Sequence, residues 1–294
     1  MYEQRHIREL LMNLRTVICL SALLVAAAPV SLKAQDYDYH PSISDDFTAA
    51  LGAMRSSNSF TFSAEGAGAE AEQVDLDIDF DDSLGVSDSS TFFNGQVRWK
   101  FGNERKWSLW GQYFSNNATG NETLKEPVEW QGVTFGEGTY AEAGVKMAVT
   151  RVFMGRSFYK NAQNDFGVGV GIHNLDLNAY IEGEVIIDDE STGVKKYPAG
   201  GSQILPNIGS WYNFSPAKRW LLHSRVDWIS ANIGDYDGGL WNVSAGVNYQ
   251  AWRHVGIDLS WQYFDLRIDV DKTDWIGSAK MRYSGPVFAV TFAW

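Results

Sequence analysis

"FFNGQVRWKFGNERKW" (92–107) decides the fold. Phe93, Gly95, Val97, Trp99 and Phe101 fall on one face of an extended chain, with Asn94, Gln96, Arg98 and Lys100 on the other. Alternation of this kind is a β-strand with one apolar and one polar face. The strand runs into a polar turn, Gly102 to Lys106, fenced closely by Trp99, Phe101 and Trp107. A tight turn on a soluble protein needs no such fence. Trp and Tyr do gather at a membrane–water boundary, where an apolar ring and a polar tip are both accommodated.

The arrangement recurs. "SFYKNAQNDF" (157–166), "YNFSPAKRW" (212–220) and "YQAWRHV" (249–255) each set a short polar turn between large aromatics. The alternation recurs in "WLLHSRVDW" (220–228), "LWNVSAGVNY" (240–249) and "VGIDLSWQY" (255–263). Their polar faces carry Arg, Asp and His, which a dry core rarely accepts unpaired. Such faces instead line the interior of a barrel whose apolar face meets lipid.

Short turns near 104, 162, 217 and 253 divide the chain into strand–loop–strand units. The expectation is an all-β, transmembrane, antiparallel up-and-down barrel of about ten strands. They are placed near 46–62, 91–102, 107–119, 139–158, 166–182, 202–214, 219–232, 239–251, 255–270 and 275–294. The short turns are expected to face the periplasm. Trp99, Trp107, Tyr159, Tyr212, Trp220, Tyr249, Trp252 and Trp294 would form an aromatic girdle at that rim. Two strands fit less well. In "VKMAVTRVFMGRSF" (145–158), Val145, Met147 and Val149 share parity with Arg151, which then points at lipid unless a bulge intervenes or the register differs. Pro286, which cannot donate to the ladder, suggests a bulge low in the last strand.

The 294 residues include 12 Trp and 13 Tyr, with 28 Gly and 7 Pro, and no later segment is apolar enough for a spanning helix. Residues 1–34 read as a signal peptide: Arg15, an apolar run from Val17 to Val30, then Ala34, with Met12 an alternative start. Residues 35–294 are then the barrel domain, destined for the bacterial outer membrane. Cys19, the sole cysteine, lies in the leader, so no disulfide or cysteine metal site is expected beyond it. Removing the leader, with four basic and two acidic side chains, takes the formal charge from −12 to −14. That balance disfavours nucleic acid as a partner.

"FTFSAEG" (60–66), the acidic run with "DDSLGV" (81–86), "WKFGNERKW", "YNFSPAKRW", the stretch 235–270 and "YSGPVFAVTFAW" (283–294) resemble a group of uncharacterised proteobacterial outer-membrane barrel proteins. The resemblance implies a fold and a compartment, and carries no activity or functional residue. The amphipathic last strand, ending on Trp294, also resembles the signal read by the outer-membrane assembly machinery. Outer-membrane lipid and lipopolysaccharide are the other expected partners.

Candidate chemistry is sparse, and no catalytic residue, metal site or cofactor is expected. His223 and Ser224 point to opposite faces, which excludes the His-x-Ser arrangement of barrel deacylases. Asp75, Asp77 and Asp79 offer the Asp-x-Asp of barrel proteases, but "IHNLD" does not complete an Asp-x-His. His173, near Asp176, is the histidine able to approach the outer half of the interior. An EF-hand starting at Asp75 fails at Phe80, where glycine is needed. The acidic groups Asp75–Asp82, "DDE" (188–190), Asp265, Asp269, Asp271 and Asp274 read as solvated outer loops, or as carboxylates sharing divalent cations with lipopolysaccharide. The sequons at 117–119 and 121–123 mark surface loops.

Arg98, Lys100, His223, Arg225, Asp227 and Asp258 form the candidate interior network. They either close the lumen as ion pairs or line a narrow passage for a small polar solute. An interior of this strand number is nearer the filled end. Gly167, Gly169 and Gly171 make room inside or serve close backbone packing. The expected function is a non-enzymatic envelope barrel, structural or weakly permeable. The rivals are a hydrolase at the outer rim and a soluble exported barrel that binds a hydrophobic ligand.

Overall fold

The computed structural model describes residues 40–65, 77–187, 190–233, 236–272 and 275–294. The expected signal segment and Asp75 lie outside them, as do Asp188, Asp189 and Asp274. Ten strands make the barrel: β1 (Phe47–Glu65), β2 (Ser89–Phe101), β3 (Trp107–Thr123), β4 (Tyr140–Lys160), β5 (Asn164–Ile187), β6 (Glu190–Ala217), β7 (Trp220–Ile233), β8 (Tyr236–Tyr249), β9 (Val255–Lys272) and β10 (Trp275–Ala293). Each pairs antiparallel with its chain neighbours, and β10 returns to β1 from Thr48↔Ala293 to Glu65↔Ile276. Closure gives backbone groups at membrane depth partners within the sheet, the condition lipid imposes.

One rim carries the short connections. Both ends of the barrel meet there, Phe47 and Trp294 exchanging backbone hydrogen bonds of 2.8 and 3.0 Å. The turn after β2 requires left-handed backbone at Gly102, Glu104 and Arg105. Gly102 suits it twice over, because a Cβ there would stand 3.0 Å from the Trp107 ring.

Along almost every strand the side chains keep one parity but exchange chemistry partway up. Near the short-turn rim the outward residues are apolar and exposed, among them Leu51, Val97, Val170 (64% exposed), Ile208 (60%) and Leu259 (61%). The inward residues beside them are polar and buried, such as Arg98, Asn207 and Asp258. Further along the same strands the pattern inverts. Phe60 and Phe62 on β1, Val145, Met147 and Val149 on β4, Leu175 and Leu177 on β5, and Phe264 and Leu266 on β9 face inward and are buried. A wall facing lipid must be apolar outside, whereas a wall facing water must bury its apolar side chains inside. The inversion therefore marks where the hydrocarbon ends.

This inversion corrects the expectation for Arg151. The β4–β5 register is continuous from Ala141↔Gly183 to Ser157↔Gly167, with no bulge at Arg151. Arg151 faces inward and is fully buried, as are Val145, Met147 and Val149 above it. The apolar residues, not the arginine, were assigned to the wrong side. The bulge expected at Pro286 is also absent. Pro286 pairs with Trp261, and the β1 pairing skips two positions between Met54↔Val287 and Ser57↔Ser284 without changing register. Strands expected at 166–182 and 202–214 continue to Ile187 and back from Glu190. Asn117 and Asn121 belong to β3 rather than to a loop.

Above Ile208, β6 still pairs with β5 but no longer with β7. Pro198, Pro206 and two lysines, Lys195 and Lys196, lie on this open stretch. Prolines and lysines there discourage addition of a foreign strand.

Two segments close the ends. Beyond β1, helix α2 (Phe80–Leu84) and a short hairpin (Val128–Trp130 with Val133–Phe135) fold onto the outer core. Phe80 packs edge-on against Phe62 at 5.0 Å and Trp130 at 5.3 Å, while Trp130 Nε1 donates to the Tyr197 carbonyl at 2.8 Å. At the other end the one-turn helix α1 (Pro41–Ser44) lies across the mouth. His40 Nδ1 accepts from the Ser42 amide at 3.2 Å, and His40 and Ile43 are buried.

Candidate functional site: a charged lumen beneath an aromatic ceiling

The inward positions of the lower half converge on three ionic groups. Arg98 on β2 donates to Asp165 at 2.7 Å and to the Ser108 hydroxyl at 2.9 Å. Ser157 donates to the other oxygen of Asp165 at 2.6 Å. The Arg98 guanidinium also lies 4.4 Å from the Trp110 ring and 5.3 Å from Trp211. Stacking on indole suits a weakly hydrated, planar cation. Lys100 reaches the other way, donating to the Ser42 carbonyl of α1 at 2.9 Å.

Asp227 on β7 centres the second group. Its Oδ1 accepts from Arg151 at 2.5 Å and Asn207 at 3.3 Å. Arg225 Nε stands 3.0 Å from Oδ2, an ion pair without hydrogen-bond alignment. Arg225 donates onward to Gln112, and Gln112, Asn94, Gln262 and Asn242 continue the chain across the lumen. The third group is His223 with Asp258 at 2.7 Å, beside Asn248, which donates to Thr291 at 2.9 Å. Interior charge is tolerated because nearly every member has a counter-charge or amide partner.

The six residues singled out in the sequence do not form one site. Arg225 and Asp227 pair, His223 and Asp258 pair, and Arg98 and Lys100 turn to partners the reading missed. Asp165, the partner of Arg98, and Arg151, which joins Asp227, carry the same inward parity as their neighbours. Asp165 precedes Gly167, Gly169 and Gly171 by twos. A Cβ at Gly167 would stand 2.2 Å from the Trp211 ring, whereas those at Gly169 and Gly171 would meet the Met154 and Val152 carbonyl oxygens at 2.3 and 2.5 Å, so these two serve close backbone packing.

What space remains is small. Two neighbouring cavities of about 70 and 80 Å³ share Ala50, Trp110, Asn213, His223 and Asp258. Each has room for a few waters, one water needing roughly 10–15 Å³. Above them stand Phe92, Phe114, Phe264 and Tyr283, all buried. Phe264 and Tyr283 stack at 4.6 Å, and Phe114 meets both edge-on at 5.8 and 5.7 Å. Beyond this ceiling a neutral cluster of Ser56, Asn58, Ser90 and Asn116 is set within the apolar outer core.

His173 is not at the outer rim. It is fully buried beside Arg151 and Leu205, without a hydrogen-bonded hydroxyl, and Asp176 points to the opposite, exposed face. His223 spends Nε2 on Asp258. Among the described residues no three metal-ligating side chains cluster. The described acidic groups of the outer region tie the loop to the wall: Asp79 accepts from Thr61, Asp81 from the Phe60 amide, and Asp77 pairs with Lys280.

The aromatic residues of the short-turn rim lie on the outer surface. Trp99, Trp107, Tyr159, Trp220, Trp252 and Trp294 are exposed, and Tyr212 and Tyr249 half-buried. Trp220 packs on Tyr249 at 4.8 Å, and Trp294 on Phe47 at 4.7 Å.

Neither a family model nor a curated protein matches the sequence. Among solved structures, the outer membrane protease OmpT from Escherichia coli is similar over 90% of this chain and 100% of its own, with a TM-score of 0.53 and 9% identity. The transport unit of the autotransporter AIDA-I from Escherichia coli (90% and 94% covered, TM-score 0.40, 10% identity) and Ail of Yersinia pestis (83% and 98%, TM-score 0.28, 11% identity) are similar more distantly. At such identities the likeness is one of fold. The chain has the fold of the Gram-negative outer-membrane β-barrels.

Proposed function

We propose that this chain is a non-enzymatic, closed barrel of the bacterial outer membrane, a structural component of the envelope rather than a pore. The observation that carries the reading is the obstruction of the lumen at two levels. The ion pairs of Arg98, Arg151, Arg225 and His223 cross the lower half, and the Phe92–Phe114–Phe264–Tyr283 layer seals it above. A hydrated solute would have to break charged pairs and then cross a dry aromatic layer. The resemblance to proteobacterial outer-membrane barrel proteins agrees with this compartment. The amphipathic strand β10, ending beside Trp294, suits recognition by the outer-membrane assembly machinery.

Planar-bilayer recording tests the reading. The full-length protein should give no steady single-channel steps, and Phe264→Ala with Tyr283→Ala should still not conduct while the ion pairs hold. Steady conductance from the wild type would establish the rival reading, a narrow pore for small polar solutes. A hydrolase finds no supporting geometry, since its candidate His173 is buried beside Arg151 and has no hydroxyl partner.

A further inference from the structure

Just past the lipid-facing belt, cations gather on three adjacent strands. Outward residues on β9 run Ile257, Leu259 and Trp261, then Tyr263, Asp265 and Arg267. On β10 they run Val290, Phe288, Pro286 and Ser284, then Arg282 and Lys280; on β1 they run Leu51 and Ala53, then Arg55. The first polar outward residues on β2, β3, β4 and β5 are Thr91, Ser115, Thr150 and Asn174, none of them basic. Four cations against two paired carboxylates, Asp265 and Asp77, leave a local positive surplus on a chain of formal charge −12.

The group is built rather than scattered. Asp265, 6% exposed, accepts from Arg267 Nε at 3.2 Å on one oxygen and from Arg282 Nε at 3.0 Å on the other. The Tyr263 hydroxyl donates to it at 3.0 Å, and Trp241 stands opposite in the register. One carboxylate thus holds two guanidinium groups side by side, leaving the trio with a net positive charge. Lys280 is bridged to Asp77, and Arg55 is exposed on the adjacent strand β1, four positions below Ser59, which pairs with Arg282. Asp237 and Asp269 stand farther out on β8 and β9.

We propose that this patch binds the phosphate-bearing headgroup of a glycolipid in the outer leaflet. Its height fits: the outward run from Val255 to Tyr263 is about the 9–11 residues a tilted strand needs to cross the hydrocarbon. The next two outward residues of β9 then stand among headgroups, where clustered cations attract anionic lipid. Paired guanidinium groups suit phosphate because their planar forks bind its oxygens two at a time. Trp261 and Trp241, just below, offer rings to the upper acyl chains. The inference depends on the membrane placement and not on whether the lumen conducts.

Native mass spectrometry of the full-length protein in detergent tests it, with bisphosphorylated lipid A and the same lipid stripped of phosphate as probes. The wild type should retain the phosphorylated lipid at least about tenfold more tightly than the stripped one, a ratio typical of charge-assisted phosphate contacts. Arg267→Gln with Arg282→Gln should abolish that preference, whereas Lys146→Gln, on the far wall, should leave it unchanged. Heat-modifiable migration on a gel reports whether each variant folds. If the double variant does not fold, Arg55→Gln replaces it and should weaken retention by roughly fivefold, a surface charge being worth near 1 kcal/mol at a membrane. Equal retention of both lipids by the wild type, or undiminished retention by the folded double variant, would overturn the proposal. So would release of the lipid by EDTA, which would assign the contact to divalent cations on the carboxylates.

Discussion

Replacing Asp227 by Asn should destabilise the barrel by about 3–5 kcal/mol, the usual consequence of removing one partner from a buried ion pair. Both Asp227 and Arg151 are wholly inaccessible, and Arg225 is nearly so. The substitution keeps the shape and one acceptor oxygen for Arg151 or Asn207, but leaves two guanidinium cations without their shared counter-charge. Adding Arg151→Met to Asp227→Asn should recover part of the loss, because one stranded cation is then gone. The four proteins compared as a cycle should show a coupling energy above about 1 kcal/mol. Urea unfolding from lipid vesicles, followed by tryptophan fluorescence, provides the midpoints. A single variant as stable as the wild type, or a double variant whose cost is the plain sum, would refute the claim that these charges depend on one another.

The remaining predictions concern the mouth and the packing of the lower lumen. Burial lowers the pKa of His40 from 6.5 to about 4. An undocked His40 binds a proton near pH 6.5 and the docked one does not, so docking of α1 is unaffected above that pH. It weakens as pH falls from 6.5 to 4, by up to about 3 kcal/mol. Amide exchange at Ile43, corrected for intrinsic rates, should rise across that window, and His40→Asn, which keeps a capping oxygen, should flatten the response. Protection that is the same at pH 7 and pH 4.5 in the wild type would contradict this. Gly167→Ala would set a methyl 2.2 Å from the Trp211 ring and 2.6 Å from the Arg156 carbonyl. Overpacking against backbone should cost about 1–3 kcal/mol in the same urea assay, and a neutral result would mean the ring has room to move.

The membrane-facing half of the fold was legible because lipid enforces a strict rule. Trp99 and Arg98, or Leu259 and Asp258, are sequence neighbours whose opposite characters fix opposite sides. The outer half was harder to read because its rule is reversed. In β4 the same parity carries Arg151 within the belt and Val149 above it, so a single phase for the whole strand misplaces one of them. A change of sign partway along the strand was the available signal, and β9 shows it too, with Trp261 outward and Phe264 inward. The candidate site was legible only in parts. Parity placed Arg98 and Arg225 on the inner face, but pairing across the lumen depends on strands far apart in sequence, as Arg98 with Asp165 and Arg151 with Asp227 show. The burial of His40 left no periodic trace, since a one-turn helix is too short to have one.

Which way adjacent residues face decides whether this wall meets lipid. The sequence has no cysteine after Cys19, so single thiols can be placed at will. Leu51→Cys and Val290→Cys lie on the outer wall, and their neighbours Ala50→Cys and Ala289→Cys lie within it. Nitroxide labels at these four positions, in vesicles, should divide cleanly. Those at 51 and 290 should collide with dissolved oxygen and not with a water-soluble nickel chelate, while those at 50 and 289 should be shielded from oxygen. Nickel accessibility at 51 and 290, with oxygen accessibility at 50 and 289, would contradict the lipid-facing belt.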